Sequence, residues 1–152
     1  MADGRAARLA EGLSEARRRL GLDPGEPART WEVARRGGEG PGFVLVVFGP
    51  GGAASGVASV DPASGEVLAH GRLPGRVPHT PMSAEDARRA AGVGAAAEAR
   101  LVWDPTSASR SPFYPLWELR DGERTVWVDA VRGDVWSDLF PAGRPPRGGG
   151  GR

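Results

Sequence analysis

The chain contains no cysteine, lysine, asparagine, glutamine or isoleucine, and it has one tyrosine and two histidines. Without cysteine there can be no disulfide and no thiolate metal site. His70 and His79 stand in no ligand spacing with each other or with an acidic cluster, so no metal and no cofactor is expected, and both read as solvated loop side chains. No apolar run approaches the roughly 20 residues that a membrane-crossing helix needs. The opening MADGRAARLAEGL places charges where a signal peptide would have its apolar stretch, so with Met1 as the start we expect a cytoplasmic protein with no membrane contact. Because lysine is missing, all 20 basic residues are arginine. The absent Lys, Asn and Ile have A/T-rich codons, so this bias reads as the composition of a G+C-rich bacterial genome. The arginines are spread evenly against 19 acidic residues to a net charge of +1, and they form no basic stripe of the kind that binds nucleic acid. There is no GxSxG and no Cys–His pair, and the glycine-rich GPGGAASG at 49–56 lacks the Lys and Ser/Thr ending of a phosphate loop. The sequence reads as a non-enzyme.

What is present is punctuation. Gly 24 and Pro 14 in 152 residues imply short elements joined by many turns. A first helix is predicted over 3–20, where Leu9, Leu13, Ala16 and Leu20 fall on one face and Arg17 to Arg19 gather at the end favoured for cations. Strands follow at 28–35, with Trp31 and Val33 opposite Thr30 and Glu32, and at 43–48, where FVLVVF has the continuous apolar character of a strand buried on both faces. A hairpin pairs 57–61 with 66–70 around Pro62 to Gly65. Residues 72–81 are Pro-rich and aperiodic and read as a linker. A second helix opens at Ser83, an N-cap candidate with Asp86 three residues on. A strand at 99–104 and a polar loop at 104–112 come next, and the tail GRPPRGGGGR reads as disordered.

The stretch Ser111 to Trp136 has the clearest strand alternation in the chain, and it holds three of the five Trp and the only Tyr. A copy of its second half lies upstream. ASVDPASGEVL and VWVDAVRGDVW share Val-Asp, then Gly, an acidic residue and Val at identical spacing, which aligns Asp61 and Gly65 with Asp129 and Gly133. Two strands and a helix precede each copy. The expected fold is therefore α+β: two tandem helix-plus-antiparallel-sheet (α-β-β-β-β) repeats over 1–71 and 82–141, sharing or joining a core, with the linker 72–81 between them and the tail 142–152 after them. These elements, above all SAEDARRAAGV, ARLVWD and PLWELRDGERTVWVDAVRGDVW, resemble the PepSY domain. SVDPASGEV carries the resemblance in the first half, with a longer Gly-rich hairpin as a departure. The resemblance implies a non-catalytic module that binds or restrains a peptidase-type partner. The D-x-x-S-G-E hairpin at Asp61 to Glu66 is also similar to that of small cytoplasmic immunity or chaperone-like proteins, which implies a toxin or an unfolded client as partner.

Strand alternation divides the aromatic stretch. Phe113, Pro115, Trp117, Leu119, Val126 and Val128 form an apolar face expected under the second helix. Tyr114, Leu116, Glu118, Arg120, Thr125, Trp127 and Asp129 form the other face, with Trp127 facing Trp136 across the next turn. Two accounts of this second face stand side by side: cover by the first half of the chain, or a platform for a peptide or protein partner. In the second account Tyr114, Leu116, Trp127, Trp136 and Arg110 carry the contacts, helped by the 104–112 loop and an open sheet edge. Asp61, Gly65, Asp129 and Gly133 read as turn-building residues whose carboxylates receive backbone N–H groups. An enzyme using those carboxylates is the remaining, least favoured alternative.

Overall fold

Helix α1 (Ala2–Leu20) forms because its apolar residues recur once per turn, and it stops because Gly21 takes a left-handed φ of 70°. The amides of Gly21 and Leu22 bond back to the carbonyls of Arg18 (3.1 Å) and Arg17 (2.9 Å), a closed C-terminal turn that satisfies the last carbonyls. Ala16 and Leu20 are buried and Leu9 and Leu13 are partly so. A computed structural model describes residues 2–36, 42–50, 52–75 and 77–140. The 142–152 tail and most of the 37–42 loop lie outside the described residues.

Two four-stranded antiparallel sheets follow the two helices in the expected α+β order. The first contains β1 (Ala28–Val33), β2 (Phe43–Phe48), β3 (Gly56–Val60) and β4 (Val67–Arg72), paired in chain order. All six residues of β2 are buried, as its unbroken apolar run requires. Its Val44, Val46 and Phe48 join Ala58, Val60 and Val67 and the apolar stripe of α1 in one core. A register shift between Ser59 and Val60 lets β4 follow β3 for its full length. The strand runs to Arg72, whose Nε donates to the Leu20 carbonyl (2.9 Å).

The second sheet contains β5 (Glu98–Val102), β6 (Leu116–Asp121), β7 (Arg124–Asp129) and β8 (Val135–Trp136), again in chain order. Helix α2 (Ala84–Ala91) starts at Ser83, whose hydroxyl accepts the Asp86 amide (3.1 Å), and ends at Gly92 with φ 68°. Ala87 is the buried foot of α2, seated on Leu119 and Val128 with Met82, Ala99 and Trp117 around it. Met82 fixes where the helix begins. Its amide donates to the Ala130 carbonyl (2.7 Å), and its carbonyl accepts Trp117 Nε1 (2.8 Å).

The chain divides into two compact units, Met1–Ala34 with Glu39–Thr80 and Arg35–Gly38 with Pro81–Arg152. The Pro-rich segment after β4 is tied down rather than loose. The Leu73 amide donates to the Ser55 carbonyl (3.0 Å), the Val77 carbonyl accepts from Ala54 (3.0 Å), and Thr80 Oγ1 accepts Arg29 Nη2 (2.9 Å). His79 is buried in this segment, which corrects its reading as a solvated loop side chain; His70 is exposed.

Candidate functional site

The repeated turn is built the same way in both units. In the first, the Asp61 amide donates to the Glu66 carbonyl (2.8 Å) and Gly65 N–H to the Asp61 carbonyl (2.7 Å). In the second, Asp129 pairs with Asp134 (2.8 Å) and Gly133 with Asp129 (2.8 Å). Gly65 and Gly133 take φ of 80° and 86°, values an L side chain rarely adopts. Each aspartate then folds its carboxylate over its own turn. Asp61 Oδ1 accepts the Ala63 amide (2.9 Å), and Asp129 Oδ1 accepts those of Val131 (2.9 Å) and Arg132 (2.7 Å). The second oxygens are also occupied, by Ser64 Oγ in one turn (3.1 Å) and Arg132 Nε in the other (2.8 Å). Both oxygens of each carboxylate are thus engaged in holding its hairpin closed.

The second sheet places the candidate contact residues in rows across its face away from α2. Arg100, Glu118, Trp127 and Trp136 are successive cross-strand neighbours from β5 to β8, including the Trp127–Trp136 pair that the turn spacing predicts. On one side of this row Val102, Leu116 and Asp129 are all buried. On the other side Glu98 and Arg120 are exposed, with Thr125 beside them half-buried. Leu116 is therefore no contact residue, because at 1% exposure it has no surface to offer a partner. Trp127 and Trp136 remain half-buried. Trp127 Nε1 donates to Glu118 Oε2 (3.1 Å), whereas Trp136 Nε1 is buried with no acceptor among the described residues.

Tyr114 and Phe113 depart from the alternation because β6 begins only at Leu116. The Tyr114 amide closes a turn onto Ser111 (3.1 Å), and its ring lies under the Arg132 guanidinium, 4.1 Å from centroid to Cζ. Phe113 is likewise outside the strand and outside the cluster under α2. The 104–112 loop is a folded plug more than a free contact surface. Thr106, Ala108 and Ser109 are buried, and the Ser109 hydroxyl accepts Trp103 Nε1 (3.3 Å) and donates to the Tyr114 carbonyl (2.7 Å). Ser107 and Phe140 exchange two bonds, from the Ser107 amide (2.6 Å) and from the Phe140 amide (3.1 Å). Arg110 stands exposed at the outer end of the loop.

One feature of this face is not visible from composition or motif. The Glu118 carboxylate is almost wholly buried, yet it is approached by Arg120 (3.5 Å), Arg100 (3.7 Å) and the Trp127 indole. With Glu98 and Ala99 these side chains, Trp127 aside, line an open cleft of about 410 Å³ at the β5 edge. Its signal in the sequence is the alternation Glu98/Arg100 against Glu118/Arg120, which has meaning only once the β5–β6 register is known. Among the described residues one carboxyl is held clearly below its ordinary range: Glu15 of α1, hydrogen-bonded first by Arg19 and then by Arg18.

No family model, no curated protein and no solved structure matches the chain. Among the described residues no group of acidic or histidine side chains is placed to hold a metal ion, and no helix is long and apolar enough to cross a membrane.

Proposed function

We propose that this chain is a non-catalytic, cytoplasmic binding module of PepSY-like build that holds a peptide or protein partner and thereby regulates or protects it. The observation that carries this reading is the Trp127–Trp136 pair. Two half-buried indoles stand side by side, and the second has a buried N–H without an acceptor among the described residues. With that N–H enclosed, what Trp136 offers a partner is the exposed part of its ring. Indole rings are also the side chains that most often anchor protein interfaces. Exposed Arg110 adds a charged contact at the end of the neighbouring loop. The recurrent aspartates support a non-catalytic role because their oxygens are engaged in the turns.

Co-purification from cells of the source organism tests this, with mass spectrometry of the retained proteins for the wild type, Trp136→Phe and Trp127→Ala. Trp136→Phe removes the enclosed donor and trims the ring that a partner would stack on, so it should fold at least as stably as the wild type and lose most of the retained partner. A wild type that retains nothing, or a Trp136→Phe variant that retains the same partner in the same amount, would sink the proposal. Trp127→Ala separates the two accounts of the face: loss of folding marks a core residue, whereas a folded chain with a lost partner marks a platform.

A further inference from the structure

We infer that the outer edge of β5 is a self-association seam, at which a second copy of this chain adds its own β5 antiparallel to the first. β5 is an edge strand: β6 is its only strand partner among the described residues. Charges on an edge strand ordinarily discourage pairing. Here their spacing does the opposite. Glu98 and Arg100 lie two residues apart on one face, so antiparallel pairing centred on Ala99 sets Glu98 against Arg100 of the second copy, and Arg100 against its Glu98. A two-fold seam repeats each contact, so one favourable pair becomes two.

The rest of the sheet fits the same register. Across β5 and β6 the charges already alternate, Arg100 beside Glu118 and Glu98 beside Arg120. Self-pairing continues both rows with the correct sign. Glu98 is exposed and has no ion-pair partner among the described residues, while Arg100 has only the 3.7 Å approach to Glu118. Glu98 would gain a partner that its own unit does not supply, and Arg100 would gain a second. On the opposite face the pairing sets Ala99 against Ala99 and Ala97 against Leu101, small or apolar side chains that allow the strands their normal separation. The two-fold axis then runs perpendicular to the sheet, joining two four-stranded sheets with both α2 helices on one face.

The other edges lack this pattern. β1 carries Arg29 and Glu32 on opposite faces, β4 exposes Leu68, His70 and Arg72 without an acid, and β8 has two residues. The seam goes beyond the partner-binding reading and does not rest on it, since self-association is measured without any partner present.

Sedimentation equilibrium of the full chain across concentration, at low and high salt, should show a monomer–dimer equilibrium that weakens as salt screens the paired charges. Glu98→Arg and Arg100→Glu, each alone, bring like charges together and should weaken the dimer at least about tenfold. An equimolar mixture of the two variants should associate again, because the charges are then complementary across the seam. Arg100 also approaches Glu118, so a second route avoids altering it. The chain has no cysteine, and Ala99→Cys places one thiol opposite its own copy. The paired β-carbons would be about 4.5–5.5 Å apart, at the upper end of disulfide spacing, so a slight shift of the two strands lets the bond form. Mild oxidation should cross-link Ala99→Cys far faster than the control Leu68→Cys on the β4 edge, and adding Glu98→Arg should abolish the difference. A wild type that stays monomeric up to its solubility limit overturns the seam, including the case in which that edge takes a foreign peptide instead. So does a dimer indifferent to Glu98→Arg, or equal cross-linking at the two cysteine positions.

Discussion

The two units close the same turn and use it differently. In the first, the turn lies against the backbone of α1: a β-carbon on Gly65 would sit 2.5 Å from the Arg8 carbonyl oxygen. One placed on Gly12 of α1 would sit 2.5 Å from Val60 Cγ1 and 2.8 Å from the Gly65 oxygen. Helix and hairpin therefore approach through a pair of facing glycines. In the second unit a β-carbon on Gly133 would meet only the end of Met82, at 3.8 Å. There the weight falls on the aspartate instead. Asp129 is fully buried and accepts three hydrogen bonds, while Asp61 is half-buried and accepts two. A single turn motif can thus be secured either by close backbone packing or by a buried carboxylate.

Equilibrium unfolding of glycine variants is the sharpest way to break this comparison. Gly65→Ala meets both the left-handed φ and the Arg8 backbone, and should cost about 3 kcal/mol. Gly133→Ala meets the φ alone and should cost about 1 kcal/mol. Equal costs would mean the first hairpin is not pressed onto its helix. The aspartates should rank the other way. Asp129→Ala strands two amides and a guanidinium and should cost about 3 kcal/mol, against about 1 kcal/mol for Asp61→Ala.

Gly12→Ala sets two effects against each other. In an open helix interior it would stabilise by about 1 kcal/mol. The overlap with Val60 and the Gly65 carbonyl should reverse that sign, giving a net loss of about 1–2 kcal/mol in the same unfolding measurement. Stabilisation would place the helix farther from the turn than described.

These outcomes also mark what the sequence could disclose. The repeat, the element order, the Ser83 cap and the Trp127–Trp136 pairing follow from local spacing, because turn chemistry and two-residue alternation are written in adjacent letters. Strand ends were less legible. Tyr114 and Phe113 keep the alternation of β6 in sequence, but the chain turns at Ser111 to Tyr114 before the strand begins. Leu116 shows the larger gap: alternation assigns a side chain to a face, not the degree to which that face is covered. The buried Glu118, the enclosed His79 and the facing glycines Gly12 and Gly65 all depend on which segments meet in space.

Two smaller effects complete the comparison of the helices. Ser83→Ala removes the cap of the eight-residue α2 and should cost about 1 kcal/mol, read as reduced helix signal and a lower unfolding midpoint. On α1, Glu15 has its folded carboxyl held below the ordinary value by Arg19 and then Arg18. Its contribution is therefore present above the unfolded glutamate value and is lost as pH falls through the lowered folded value. Glu15→Gln should slightly flatten the acid limb of a stability–pH curve and leave α2 untouched.

Residue-resolved amide hydrogen exchange tests the shared turn most directly, because it reads both copies at once in the unaltered chain. The amides of Asp61, Gly65, Asp129 and Gly133 should all be protected, and those of Ala63 and Val131 should be slowed by the carboxylates they meet. Free-peptide exchange at either set, with protection at the other, would show that the two halves do not build one turn.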